Sequence, residues 1–229
     1  MSFAGGSVHS QVWLTYAITD SDVPKALTLC FSMRRVYTSR KLAVLVSRNV
    51  SPSMREVLRS IFDFFFYLEE ELNTAGLKEE EFVRLSAFTL KCFGKLVFLE
   101  PSFLAVKNLD DIFDNNEVAS GLLLMEVGQD EDELSIFMAR PCLHVFRILM
   151  DSLKTRNGKG MEVHLRTWAR HQLLPTAKPV DMKYSGKLLQ ASSTFLRNES
   201  DVSLVNICIP LDEVNTEPFG LCARVSNTR

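Results

Sequence analysis

The stretch Lys95–Asp114, KLVFLEPSFLAVKNLDDIFD, decides the fold. Leu96 to Leu99 form a short apolar run that reads as a buried strand and stops abruptly at Glu100-Pro101-Ser102. The chain then continues through a second apolar segment into Asp110-Asp111. A strand covered on both faces is apolar nearly throughout, and in an open parallel sheet ligands collect beyond the carboxyl ends of the strands. Glu100-Pro101-Ser102 is therefore a candidate site position: a metal site, a reduced version of one, or a plain strand end.

Upstream, strand and helix patterns alternate. Gln11–Thr19, QVWLTYAIT, is rich in β-branched and aromatic residues and reads as the first strand. Asp20-Ser21-Asp22 then supplies an N-cap cluster for a helix in which Val23, Ala26, Leu27, Cys30 and Phe31 recur at helical spacing, with Pro24 in its first turn. KLAVLVSR is a second strand, and Ser51-Pro52 opens a second helix with Met54, Val57, Leu58 and Ile61 on one face. DFFFYLE is a third strand; KEEEFVRLSAFTLKCF is a third helix, apolar at Phe82, Leu85, Phe88 and Cys92. Beyond the opening stretch come two further strands, GLLLMEV and LSIFMAR, and a helix from Cys142 to about Leu153 with Leu143, Phe146, Leu149, Met150 and Leu153 as its buried stripe. A turn, TRNGKG, precedes another amphipathic helix carrying Val163, Leu165, Trp168 and Leu173. This order predicts an α/β fold, a Rossmann-like, mostly parallel sheet with helices on both faces. Its expected core includes Leu14, Leu27, Val44, Leu45, Val97, Phe98, Phe137 and Leu149. From Leu174 the pattern weakens. A single domain over residues 1–189 and an irregular tail over 190–229 are expected, the tail holding one strand, VSLVNICI, and packing poorly on the domain.

Composition narrows the class. The 229 residues are 46% hydrophobic and 24% charged, with 26 basic against 28 acidic side chains. A net charge of −2 gives no electrostatic footprint for nucleic acid or an anionic membrane. No apolar run reaches the roughly 20 residues that span a bilayer, and MSFAGGSVHS lacks the features of a signal peptide. The scattered Cys30, Cys92, Cys142, Cys208 and Cys222 read as buried reduced thiols, and His9, His144, His164 and His171 lack metal-ligand spacing. A cytoplasmic protein is expected. No G-x-G-x-x-G or P-loop motif is present.

ITDSDVPKALTLCFSMRRVYTSRKLAVLVSRNVSPSMREVLRSIFD and LVFLEPSFLAVKNLDDIFD together resemble glycogenin, of glycosyltransferase family 8. The resemblance covers residues 11–115 and, more weakly, 134–175. It implies a glycosyltransferase-A-like fold, UDP-glucose as donor, Mn²⁺ as cofactor, a cytoplasmic dimer and a part in glycogen biosynthesis. The nucleotide-sugar-binding positions it implies are Tyr16, Ile18, Thr19, Asp22, Arg84, Glu100, Pro101 and Ser102. Arg84 falls where the family has a lysine, and Asp22 where it has a tyrosine that stacks on uracil. The family's Asp-x-Asp metal motif falls on Glu100-Pro101-Ser102, leaving Glu100 and Ser102 as reduced metal ligands. The family's sugar-contacting segments fall on Glu133-Leu134-Ser135 and near Glu162–Leu165, and Gly186 stands, after Tyr184, where the acceptor tyrosine belongs.

Two functions follow from these departures. One is a pseudoenzyme acting by protein interaction, as a homodimer or as a heterodimer with an active glycogenin. The other is a UDP-sugar-dependent transferase with an altered metal site, in which Glu100 and Arg84 still hold the diphosphate. A strand end on an unrelated Rossmann-like domain is the plainer reading of the same residues.

Overall fold

The computed structural model describes residues 9–74, 76–114, 122–125, 136–154 and 204–206. Strands β1 (His9–Ala17), β2 (Lys41–Val46), β3 (Phe64–Tyr67) and β4 (Phe93–Leu99) are parallel neighbours in the order β3-β2-β1-β4. β6 (Leu122–Met125) and β7 (Ile136–Ala139) complete a six-stranded sheet, β7 running antiparallel to both β4 and β6. Helices α1 (Asp22–Arg35), α2 (Pro52–Ile61), α3 (Glu79–Ser86) and α4 (Leu143–Lys154) cover it. The expected α/β architecture is the one observed.

Alternation along the strands builds two cores. Val12, Leu14 and Tyr16 of β1 join Leu96 and Phe98 of β4 under α3 and α4. Trp13, Ala17, Val97 and Leu99 face the other way, toward α1 and the Ile112-Phe113 pair. An aromatic ladder crosses the first core: Tyr16 stacks on Phe98 at 5.7 Å, Phe98 on Phe137 at 4.8 Å, and Phe137 on Phe88 at 6.1 Å. Of the eight expected core residues, Leu27 is half-buried against the α1 core and the other seven are buried.

Several positions differ from expectation. Phe31 is 52% exposed, because α1 buries Val23, Ala26, Leu29, Cys30 and Met33 instead. In α2 only Leu58 is buried, while Met54 and Val57 face solvent. Cys92 is exposed because α3 ends at Ser86, passes through a 3-10 turn at Ala87–Thr89 and leaves Cys92 in a turn. Cys30 is buried, and its thiol is pushed up to about 11 by that burial. The weakly patterned tail supplies β8 (Leu204–Asn206), which pairs antiparallel with β5 (Phe103–Ala105). Those three residues fall within the strand expected at VSLVNICI and are paired with the domain. The helix expected around Val163–Leu173, the rest of the tail, His164, His171, Cys208, Cys222 and the 189/190 boundary lie outside the described residues.

Candidate functional site

Parallel pairing of β1 with β4 brings Thr19–Asp22 and Glu100–Ser102 to the same carboxyl edge of the sheet. Glu100-Pro101-Ser102-Phe103 is a tight turn: the Phe103 N–H donates to the Glu100 carbonyl at 3.2 Å, with Pro101 second, where its fixed φ suits the turn. Pro101 is buried and Ser102 half-buried. The turn connects β4 to β5.

The Glu100 carboxylate meets Arg84, whose guanidinium donates to it from the last turn of α3. The two side chains are only 13% and 10% exposed. Charges this far from water are sustained by each other, since neither could be held there alone without a large desolvation cost. Tyr16 is within electrostatic reach of both. Its phenol is pushed far above the ordinary tyrosine range by burial first, then by the Glu100 carboxylate, with Arg84 opposing and Asp22 and Glu80 adding to the rise. The phenol is neutral, not a proton source, near neutral pH.

The β1–α1 loop is fixed by Asp22. Its carboxylate accepts from the Thr19 N–H at 3.0 Å, the Ile18 N–H at 3.2 Å and the Thr19 hydroxyl at 3.1 Å, and Lys25 lies 3.4 Å away. Side-chain oxygens binding nearby backbone N–H groups are the ordinary device for shaping such loops. Ile18 is buried and Thr19 exposed. The Ser51 N–H donates to Asp20 at 2.7 Å, tying this loop to the start of α2.

Tyr16, Asp22, Arg84 and Glu100, positions that the resemblance implies, are within electrostatic reach of one another around the Tyr16 phenol. Glu79 and Glu80 are not among the implied positions. Glu79 accepts from the Ser47 hydroxyl and from the Asn49 amide at 3.0 Å, closing the end of β2 against α3. The signal was available in KEEEF, the acidic start of α3, where carboxylates complement the helix dipole. Glu133–Ser135, Glu162–Leu165, Tyr184 and Gly186 lie outside the described residues.

The Asp-Asp pair of NLDDIFD has a different task. Asp110 sits at the opposite, amino edge, accepting from the Ser39 N–H at 2.6 Å, the Ser39 hydroxyl at 2.8 Å, Thr38 at 2.5 Å and the Trp13 indole at 3.3 Å. It clamps the α1–β2 connection onto β1. Burial pushes its carboxyl up, but these donors outweigh burial and hold it below the usual range.

A Mn²⁺-type ion takes a carboxylate-rich set of oxygens. Among the described residues no group of three or more His, Cys, Asp or Glu side chains is arranged to hold a metal ion. Glu100, the carboxylate at the strand end, already has a cation. Among the described residues, this donor set does not fit a divalent metal.

Comparison with known proteins places the arrangement. The chain is similar to the glycogenins. It is 31% identical to human Glycogenin-2 over 157 residues, 64% of this chain and 31% of that protein. It is 29% identical to human Glycogenin-1 over 119 residues, 48% of this chain and 34% of that one, and 27% identical to Glycogenin-1 of Caenorhabditis elegans over 159 residues, 65% and 36%. The matches thus span about a third of the length of these curated relatives. No family model matches. Among solved structures, the bifunctional glycosyltransferase WbbM superimposes with a TM-score of 0.63 at 11% identity, covering 91% of this chain and 47% of that one. Mouse xyloside xylosyltransferase 1 gives 0.53 at 11% identity, covering 88% of this chain and 100% of its own. At such identities the likeness is one of fold, the glycosyltransferase-A α/β fold.

No described helix is long and apolar enough to cross a membrane.

Proposed function

We propose that this chain is a glycogenin-like protein of the glycosyltransferase family 8 type that acts by protein interaction in glycogen metabolism, without transferring glucose. The carrying observation is the Arg84–Glu100 ion pair. A departing nucleoside diphosphate needs its developing charge neutralised. Here the cation at the strand end is already offset by the carboxylate beside it. Asp22 and Glu80 add negative charge around Tyr16. The partner proposed is a second copy of this chain or an active glycogenin, joined through the shared fold.

Purified full chain incubated with UDP-glucose and Mn²⁺ tests the reading. Neither a hexose mass gain on the protein nor donor hydrolysis above background is expected. A donor present at a hundredfold excess over its dissociation constant would add about 2.7 kcal/mol of stability, so no matching rise in melting temperature is expected either. A gain of one hexose that disappears in Glu100→Ala would establish the other reading, a transferase with an altered metal site.

A further inference from the structure

α2 and β3 bring two guanidiniums to one exposed phenol. β3 is the outermost strand on its side of the sheet. Phe65 and Tyr67, two residues apart, share a face of it, with their rings edge to face at 5.2 Å. Arg55 and Arg59, one turn apart on α2, each rest on one of these rings. The Arg59 guanidinium lies 4.6 Å from the Phe65 centroid, and the Arg55 guanidinium 5.8 Å from the Tyr67 centroid. Arg59 Nη2 also donates to the Tyr67 hydroxyl at 3.2 Å. Tyr67 is 44% exposed, so solvent reaches this arrangement.

Cation–π stacking alone explains a guanidinium over each ring. It does not explain why Arg59, stacked on Phe65, reaches past that ring to the oxygen of the next. The carboxylate paired with Arg59 is Glu56, at 3.1 Å, whose side chain is 74% exposed, where screening weakens it. The Arg55 Nε is buried without a hydrogen-bond partner. The phenol responds to both cations. The Arg59 hydrogen bond holds it below the ordinary tyrosine range, with burial opposing and the Arg55 charge adding to the fall.

We propose that Tyr67 is a phosphorylation site whose phosphomonoester is held by Arg59 and Arg55. The donor is a nucleoside triphosphate bound to a protein tyrosine kinase. The Tyr67 oxygen forms a bond to the γ-phosphorus, and the bond from that phosphorus to its bridging oxygen breaks. The electron pair leaves on the nucleoside diphosphate, and the phenol proton passes to the kinase's carboxylate base. The ester carries nearly two negative charges at neutral pH and three acceptor oxygens, which planar guanidinium forks match. Arg59 already lies at bonding distance from the ester oxygen, so the new charge forms beside a donor. Glu69, Glu70 and Glu71, all exposed, follow the tyrosine closely. Such a flank fits a kinase with a basic substrate groove. In the product the same carboxylates oppose the phosphate, and the two guanidiniums outweigh them.

Treatment of the full chain with an acid-directed tyrosine kinase and ATP, with the products mapped by tandem mass spectrometry, tests the site. Tyr37, 88% exposed just past α1, is the comparison, because exposure alone would favour it. Phosphate is expected on Tyr67 faster than on Tyr37. Phosphorus NMR across pH should then place the second ionisation of the Tyr67 ester about one pH unit below that of a phosphotyrosine peptide of residues 66–72, the effect of nearby opposite charge. Arg55→Gln with Arg59→Gln should return it to the peptide value; neither side chain belongs to the core, so the variant should fold. Arg35→Gln, which removes an exposed cation in the last turn of α1, should leave the ionisation unchanged. No phosphate at Tyr67, slower incorporation there than at Tyr37, or a Tyr67 ester that ionises as it does in the peptide overturns the proposal.

Discussion

Arg84 and Glu100 illustrate how one ion pair can stand in for a site. Removing one partner leaves the other charge buried and uncompensated, which costs about 3–5 kcal/mol, whereas replacing both by apolar groups can be nearly neutral. Arg84→Met should therefore lower stability strongly in urea titrations at neutral pH, and Arg84→Met with Glu100→Leu should recover most of the loss. A double variant as unstable as the single one would show that the pair is held by more than mutual neutralisation. Asp110 gives a second test at this scale. Its carboxyl is depressed in the folded state by Thr38, Ser39 and Trp13, so its stabilisation is fully present above the ordinary aspartate value near pH 4. It is lost as pH falls through the lower folded value. Asp110→Asn should cost about 2 kcal/mol at neutral pH, since hydrogen bonds to a charged group are worth about that much. Its deficit against the parent should shrink below about pH 4, read from urea midpoints across the acid range.

Whole elements were legible where periodicity and punctuation agreed. The strands from β1 to β4 announce themselves by continuous apolar runs, and α2 by Ser51-Pro52, with Pro52 at the start of the helix. What spacing cannot supply is rotation. Met54, Val57, Leu58 and Ile61 share a face at helical spacing, yet α2 lies on the rim of the sheet and buries a narrower stripe than four apolar residues suggest. Helix ends were equally opaque. α1 finishes with the Tyr37 N–H on the Arg34 carbonyl and the Thr38 N–H on the Met33 carbonyl, with Tyr37 at φ +58° where glycine is the usual signal. The phase of α2 has a measurable consequence. Val57, 41% exposed, should accept lysine within about 0.5 kcal/mol. Leu58→Ala should cost about 2–5 kcal/mol, because it opens a cavity against the sheet. Comparable losses at both positions would mean that α2 turns both side chains inward.

At the scale of the whole molecule, the carboxyl edge was legible because parallel pairing dictates which loops share it, and a run of strand–helix units dictates parallel pairing. The pairing of the tail's strand was not, because VSLVNICI reads as a strand but carries no sign of which edge it joins; its place is decided by the edge it finds. That edge is β5, which leaves β4 through the Glu100–Phe103 turn and packs along α1, so the tail is joined to the same turn as the candidate site. Backbone N–H groups alternate sides along an extended strand. The Ala105 N–H donates to the Ser32 hydroxyl of α1 at 3.0 Å, and the Phe103 N–H turns back to the Glu100 carbonyl. The Leu104 N–H therefore points to the other side, toward β8, where Leu104 is paired with Val205. In the full chain the Leu104 amide should be protected from hydrogen exchange. Ending the chain at Asp201 should make that amide exchange quickly while Ala105, held by Ser32, stays slow. Residue-resolved exchange of the two chains decides it: unchanged Leu104 protection after truncation would show that β8 contributes nothing to holding β5, and simultaneous loss at Ala105 would show that β8 also holds β5 against α1.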